Sequence, residues 1–552
     1  MGTEKKKKGN DKKRHRRAEG KEAESAGREE VPPKKQKKAD KGSPSQPANP
    51  SAEQSKKKQP ENPLPRLDPK SVGYFRRVGE TLQQGFGSDS IAYIAEEEAG
   101  PDEEAGPDLE DLILSLCAEV KGKFLPYNKD THGSFIVRTL LQVLSGTILN
   151  LEANKKGAPG PTVSSEFDVP DTFLKQLQEL NGLFCENIGV FATNKVASLG
   201  MQVALQVLHR KSPSTCAALC DDVIKYLSSR NASADSSSLL VFLKDETSSR
   251  LLERILEVSD KKQLRRLYKK HFQGQLQALC AHPIANYTVQ RLVRATQTKK
   301  LFSVLFDELS QAIEDIMAKG HMGLITGLAE ACKRLSCRQS ELVSHLMEAF
   351  HCAAPASRRL TCVPLFFSLL TYEVYYKTGE EETPPEHTDN ADAKLQSVNY
   401  HGSLLVQHLL HFEDPLPALQ SLGNMAEDDL RTVACSQAGS HVFDALLNSS
   451  TVTEKQRKKV LRKLRTHSVD LARNKYGSRV LDRIWNASTM GVKEEIALKL
   501  VERLRELQND PVGHHIVRNF ALAHFVNRRK DWEEHQQAEN KRRKMFAEIL
   551  ED

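Results

Sequence analysis

The chain has 552 residues, 28% of them charged and 6% aromatic, with a formal net charge of +7. No apolar run reaches the roughly 18 residues a membrane helix needs; the longest candidate, Leu360 to Tyr376, is broken by Pro364, Ser368 and Glu373. A charged N-terminus with no apolar stretch behind it is not the pattern expected of a secretory signal, and ten scattered cysteines without a Cys-x-x-Cys pair argue for reduced core thiols over zinc.

Residues 1–67 are mostly Lys, Glu, Ser, Pro and Gln, a composition that cannot bury a core and predicts a disordered tail. The basic clusters Lys5–Lys8, Lys12–Arg17, Lys34–Lys38 and Lys56–Lys58 point to nuclear or nucleolar targeting. Residues 68–95 read as a short helical segment around Ser71 to Gln84. Residues 96–111 form an acidic linker in which Glu97 to Asp102 is repeated at once as Glu103 to Asp108. From 112 to 527 the pattern is helical, with insertions near 151–167 and 377–397, and residues 528–552 read as a charged helical tail. Cys216/Cys220 and Cys332/Cys337 fall inside apolar helical segments. The first seventy residues hold 21 Lys or Arg against 11 Asp or Glu, while 96–111 and 380–392 hold fifteen carboxylates and no Lys or Arg. With those two loops set aside, the helical body is basic enough for a polyanion partner.

The organising feature is a recurring hexapeptide of small, polar, any, apolar, apolar and polar residues. It appears at Gly133–Arg138, Ser248–Glu253, Ala285–Gln290, Gly402–Gln407, Gly439–Asp444, Gly477–Asp482 and Gly513–Arg518. A degenerate copy stands at Ala197–Gln202, and two blurred steps are expected near Met322-Gly323 and Cys362–Leu370. The clear copies step by 36 to 38 residues: Gly402 to Gly439 is 37, Gly439 to Gly477 is 38 and Gly477 to Gly513 is 36. That period marks a helical repeat array. In the Gly477 copy, Val480, Leu481, Ile484 and Trp485 share one helix face, while Ser478, Arg479 and Asp482 converge on the other. A unit this short cannot bury its apolar face alone, so stacking on neighbours supplies the core. The expected fold is all-α, a curved α-solenoid of about ten helical repeats with a continuous polar face. Planar side chains recur at the middle polar position (Phe135, Arg250, Tyr287, His441, Arg479, His515), and unstacked bases need such planes.

These motifs resemble Pumilio (PUF-type) repeats, and Asp130–Arg138, His282–Asn286 and Asp510–His515 are similar to the nucleolar branch of that family. The resemblance covers roughly residues 70–552. It implies an RNA-binding scaffold of the nucleus and nucleolus that takes precursor ribosomal RNA on its concave face. It also implies a role in small-subunit ribosomal RNA processing and ribosome biogenesis, shielding a cleavage site. Partners would be single-stranded or structured precursor RNA and small-subunit pre-ribosomal particle proteins; the chain would be a monomer, with no membrane partner, no cofactor and no metal. In PUF repeats two side chains meet a base edge and a third stacks. Carried over, Asn286 and Gln290 would read an edge with Tyr287 stacking. Ser249 and Glu253 would do so with Arg250, and Ser403 and Gln407 with Leu404. Ser134, Arg138 and Phe135, Ser440, Asp444 and His441, Ser478, Asp482 and Arg479, and His514, Arg518 and His515 depart from the ordinary pairings, so a relaxed sequence preference is expected. The resemblance also implies further repeats after the Ser71 helix, where only a short segment stands before the acidic linker.

The same polar face could serve a protein-binding adaptor of HEAT or armadillo type. Catalysis is disfavoured. His514 and His515 are adjacent and expected to diverge, and neither a nucleophile nor a Gly-rich phosphate loop accompanies Asp510.

Overall fold

The computed structural model describes residues 109–150, 162–230, 239–377 and 393–551. All lie in the second of two compact units, Asp68–Asp552. The basic tail, the Ser71 segment and most of both acidic stretches therefore fall outside the described residues.

The described chain is an α-solenoid whose spine is a row of nine inner helices. They are α1 (Thr131–Ser145), α2 (Ala197–Lys211), α3 (Glu246–Val258), α4 (Ala285–Ala295), α5 (Met322–Leu335), α6 (Tyr400–Leu409), α7 (Ser440–Asn448), α8 (Gly477–Asn486) and α9 (Gly513–Asn519). Each packs against the next along the whole row. Between them run short helices, such as Ser468–Arg473 under α8, and longer outer helices, such as Glu454–Leu464. The apolar faces of all three layers merge into one continuous core, as expected where each unit stabilises its neighbours.

Local sequence sets where each inner helix begins. Its first N–H groups have no partner within the helix, and a residue three positions before the small residue of the motif accepts from them. Asp130 takes His132 N and Gly133 N, Asp245 takes Thr247 N and Ser248 N, and Asn474 takes Tyr476 N and Gly477 N. Asp510 does the same for Val512 N and Gly513 N, and the His282 ring accepts from Ile284 N and Ala285 N. The small residue then meets the preceding helix. A Cβ on Gly133 would lie 2.5 Å from the Tyr127 carbonyl oxygen, and one on Gly439 would overlap that of Val433.

The structure corrects the repeat phase in one place. The helix Cys362–Ser368 is not a worn inner helix. It packs beneath α6, with the Phe366 carbonyl against Gly402, as Val433 sits against Gly439. α5 packs directly on α6, so the long interval from Ala285 to Gly402 holds one additional inner helix, and the remaining excess is inserted chain.

A second difference lies after α1. Gly146, at φ 59°, ends that helix in the left-handed region, and β1 (Thr147–Asn150) pairs antiparallel with β2 (Thr162–Glu166). Gln142 fastens the hairpin by accepting Leu149 N at 2.8 Å. Strands of four and five residues are too short to show an alternation against helical surroundings.

At the far end α10 (Arg529–Glu551) folds back on the last repeats. Trp532 is fully buried and donates to the Phe520 carbonyl at 2.8 Å. Trp485 stacks on Phe520 at 3.9 Å and donates to Gln536 at 3.1 Å. Lys493, also buried, gives its ammonium to Gln536 and Asn540. All ten cysteines are free and seven are buried.

Candidate nucleic-acid interface

The hexapeptides occupy the first turns of the inner helices, so the row of helices brings their polar positions into a row of their own. The middle positions point outward. Phe135 is 53% exposed and Tyr287 57%; Arg250, His441, Arg479 and His515 are exposed as well, and Leu404 is half-buried. Arg479 and Arg518 have no ion pair among the described residues, whereas Arg250 meets Glu246 at 2.9 Å. The Arg138 guanidinium lies over the Phe135 ring, 5.6 Å from its centre.

The first polar positions are placed differently. Ser134, Ser249, Asn286, Ser403 and Ser440 are buried, and their side chains serve backbone carbonyls. Ser134 donates to Val196 O at 3.3 Å, Ser249 to Glu246 O at 3.2 Å and Ser403 to Ala438 O at 2.7 Å. Ser440 donates to Gln437 O and the half-buried Ser478 to Lys475 O, both at 3.2 Å. Asn286 donates to His282 O and Pro283 O. These residues lock the helix start, and only His514 of this set is exposed.

Arg138 and Arg518 apart, the last polar positions fall into two groups. Gln290 donates to Asn286 Oδ1 at 3.0 Å and Gln407 to Ser403 Oγ at 2.9 Å, each half-buried with its remaining amide capacity outward. Two of the three carboxylates are braced by arginines of the following helix. Glu253 meets Arg291 at 3.3 Å, and Asp444 meets Arg483 at 3.0 Å while His441 approaches its other oxygen at 3.3 Å. Burial pushes the Glu253 carboxyl up, and Arg291 offsets this only in part. Asp482 accepts from Asn486 at 3.2 Å.

The row also holds residues the hexapeptide pattern alone leaves uncertain. Ser198, Leu199 and Gln202 on α2 repeat the arrangement, with Gln202 donating to Ser198 at 3.1 Å and Leu199 exposed. Their signal is the cap. Asn194 accepts from Val196 N and Ala197 N, as Asn474 does in its own repeat. On α5 no such triplet stands: Leu324 and Ile325 are buried, and Gln290 lies over Gly323. The rings of His514 and His515 do not diverge; their centres are 3.8 Å apart. No group of three or more His, Cys, Asp or Glu with metal-binding geometry occurs among the described residues.

Comparison with known proteins gives this arrangement a setting. The NOP9-like PUF repeat domain family matches residues 74–515. Nucleolar protein 9 of Mus musculus is 51% identical over 461 residues, spanning 80% of this chain and 72% of that protein. Nucleolar protein 9 of Homo sapiens is 50% identical over 458 residues with the same coverage. The solved structure described as APUM23-GGAUUUGACGG superposes with a TM-score of 0.66 at 20% identity, covering 85% of this chain and 83% of that one, and shares its fold.

Proposed function

Since the chain belongs to the NOP9-like PUF repeat family of RNA-binding nucleolar proteins, we propose that it is a scaffold holding precursor ribosomal RNA along its row of inner helices. In this reading it acts in small-subunit ribosomal RNA processing and shields a cleavage site while bound. The observation that supports it most is the register of exposed planar side chains. Phe135, Arg250, Tyr287, His441, Arg479 and His515 occupy one motif position on six helices of the row. Bases splayed from a single strand would stack between them at about 1–3 kcal/mol each.

Edge recognition would then fall to the last polar position. Gln290, Gln407 and Gln202 are held by the residue one turn earlier and keep amide atoms for a base. Glu253 and Asp444 would first have to leave Arg291 and Arg483, so those repeats would read weakly. Arg518 and neighbouring cations would position the backbone. The neighbour described with GGAUUUGACGG supports a linear oligonucleotide as the kind of ligand. The role needs no cofactor and no catalytic group; small-subunit pre-ribosomal proteins would be neighbours in the particle.

The test is binding of precursor ribosomal RNA fragments by the wild-type chain and by a Tyr287→Ala/Arg479→Ala variant. Loss of two stacking planes is expected to weaken binding at least tenfold with an unchanged helical spectrum. Unchanged affinity would refute the inner-row reading.

A further inference from the structure

We propose a second RNA contact on the opposite layer of the solenoid, a strip of cations on the outer helix Lys261–Leu267 and its continuation Tyr268–Phe272 that takes the phosphate backbone. This deepens the function proposed above and rests on it. Lys261, Lys262, Arg265, Arg266, Lys269 and Lys270 are all exposed, while Gln263, Leu264, Leu267, Tyr268, His271 and Phe272 are buried. Spacings of one and four residues place the six in two adjacent files. An α-helix would turn each file by about 40° every four residues. The last turn is instead a π-helix, wider than an α turn, and it takes up part of that drift. The strip stays on one side of the molecule for about 14 Å, at 1.5 Å per residue.

The helix belongs to the outer layer. Gln263 donates to Ala217 O and Asp221 of the preceding outer helix, and the Tyr268 hydroxyl reaches Glu308 of the following one at 3.3 Å.

The cations lack counter-charges. Arg266 meets Asp221 at 2.6 Å, and the other five have no ion pair among the described residues. The nearby carboxylates are committed elsewhere: Asp260 accepts Gln263 N at 2.7 Å to cap the helix, and Glu308 accepts Gly274 N and Leu276 N. On the outer helix Glu454–Leu464, by comparison, three of the six cations are engaged, Lys458 by Glu454 and Arg457 and Lys463 by backbone carbonyls. A groove of about 470 Å³ beside the strip adds Lys225 to its edge.

The chemistry of the face favours a phosphate backbone over an acidic protein. A protein interface needs apolar anchors at its centre, and every apolar side chain of this helix is buried. Phosphates need only cations. At about 3.4 Å per phosphate along one strand, the strip faces about four.

The experiment compares the full chain with a Lys262→Glu/Arg265→Glu/Lys269→Glu variant, none of whose positions makes an ion pair. The probes are an eleven-nucleotide single strand, a long structured precursor ribosomal RNA and a polyglutamate peptide, titrated at several salt concentrations. The expected result is at least a tenfold loss for the long RNA, a salt slope shallower by about 2–3, and less than a twofold change for the short strand. A Lys262→Gln/Arg265→Gln/Lys269→Gln variant, which removes charge without reversing it, should show the same pattern more weakly, and it decides the matter if the reversal disturbs folding. Unchanged affinity for the long RNA refutes the strip and leaves the inner-row reading intact. Equal losses for both RNAs refute it as a separate site. Loss confined to polyglutamate refutes it in favour of a protein partner. If the wild-type chain binds neither RNA, the proposed function fails and the strip fails with it.

Discussion

The brace between α3 and α4 makes an asymmetric prediction. Arg291 gives one nitrogen to Glu253 at 3.3 Å and another to Glu257 at 3.1 Å, and Arg254 also meets Glu257. Their side chains are 12–23% exposed. Arg291→Met keeps the apolar stem and removes the charge, leaving two poorly hydrated carboxylates to share one arginine. Breaking a buried pair costs about 3–5 kcal/mol, and partial exposure puts this case near about 3 kcal/mol. Glu253→Gln removes instead the charge that burial already disfavours, and should cost about 1 kcal/mol or less. The double variant should recover part of the Arg291→Met loss. The pH dependence has a definite sign. A carboxyl whose folded pKa is raised stabilises the fold at low pH and loses that contribution as pH rises through the folded value. The Arg291→Met penalty should therefore be larger at pH 8 than near pH 5. Because a repeat array opens unit by unit, the assay is hydrogen exchange of the amides in Ala285–Ala295. Glu253→Gln costing as much as Arg291→Met would refute the reasoning.

Three further outcomes follow from the packing. Trp485→Ala removes the ring stacked on Phe520 and the donor to Gln536; a loss of about 3–5 kcal/mol should appear as early melting of the C-terminal repeats by differential calorimetry, and a melt like wild type would contradict the packing. Gly439→Leu drives a side chain into the Val433 carbonyl and should cost about 1–3 kcal/mol, while Gly491→Ala, in open space, should cost nothing measurable in the same urea titration. Burial, helped by Lys333, lowers His408 to about 4. A histidine with a depressed folded pKa loses its stability contribution as pH falls from its unfolded value of about 6.5, so the unfolding free energy read from urea titrations should drop between pH 6.5 and 4, by up to about 3 kcal/mol. His408→Gln should flatten that drop, and an unchanged slope would contradict the assignment.

Much of the architecture is legible in the chain because two periods coexist. Apolar spacing such as Val480, Leu481, Ile484 and Trp485 fixes each helix face, and the 36–38-residue step fixes the stacking. The capping residues carry a further signal. Asn194-Lys195-Val196-Ala197 repeats the pattern of Asn474-Lys475-Tyr476-Gly477 and places α2 in the row even where its triplet is weak. The phase at Cys362–Leu370 is illegible because the insertion falls inside a repeat, between the short helix and its inner partner. The hairpin is illegible because its pairing joins residues across an insertion. At the candidate interface, sequence spacing marks which side chains share a face but not how deep they sit. Ser134 and Asn286 are consumed by carbonyls of other turns and repeats, and Glu253 by an arginine 38 residues on.

The central claim is that the inner row binds RNA by stacking bases, and one titration tests it most directly. Residues 68–552 would be titrated at two salt concentrations with single-stranded RNA, structured precursor ribosomal RNA and duplex DNA. Tight binding to RNA over DNA that survives the higher salt, and is lost in Tyr287→Ala/Arg479→Ala, is the predicted result, because charge attraction alone falls steeply with salt. Equal, salt-labile binding to all three, or none, would contradict the account and leave a solenoid whose polar face serves proteins.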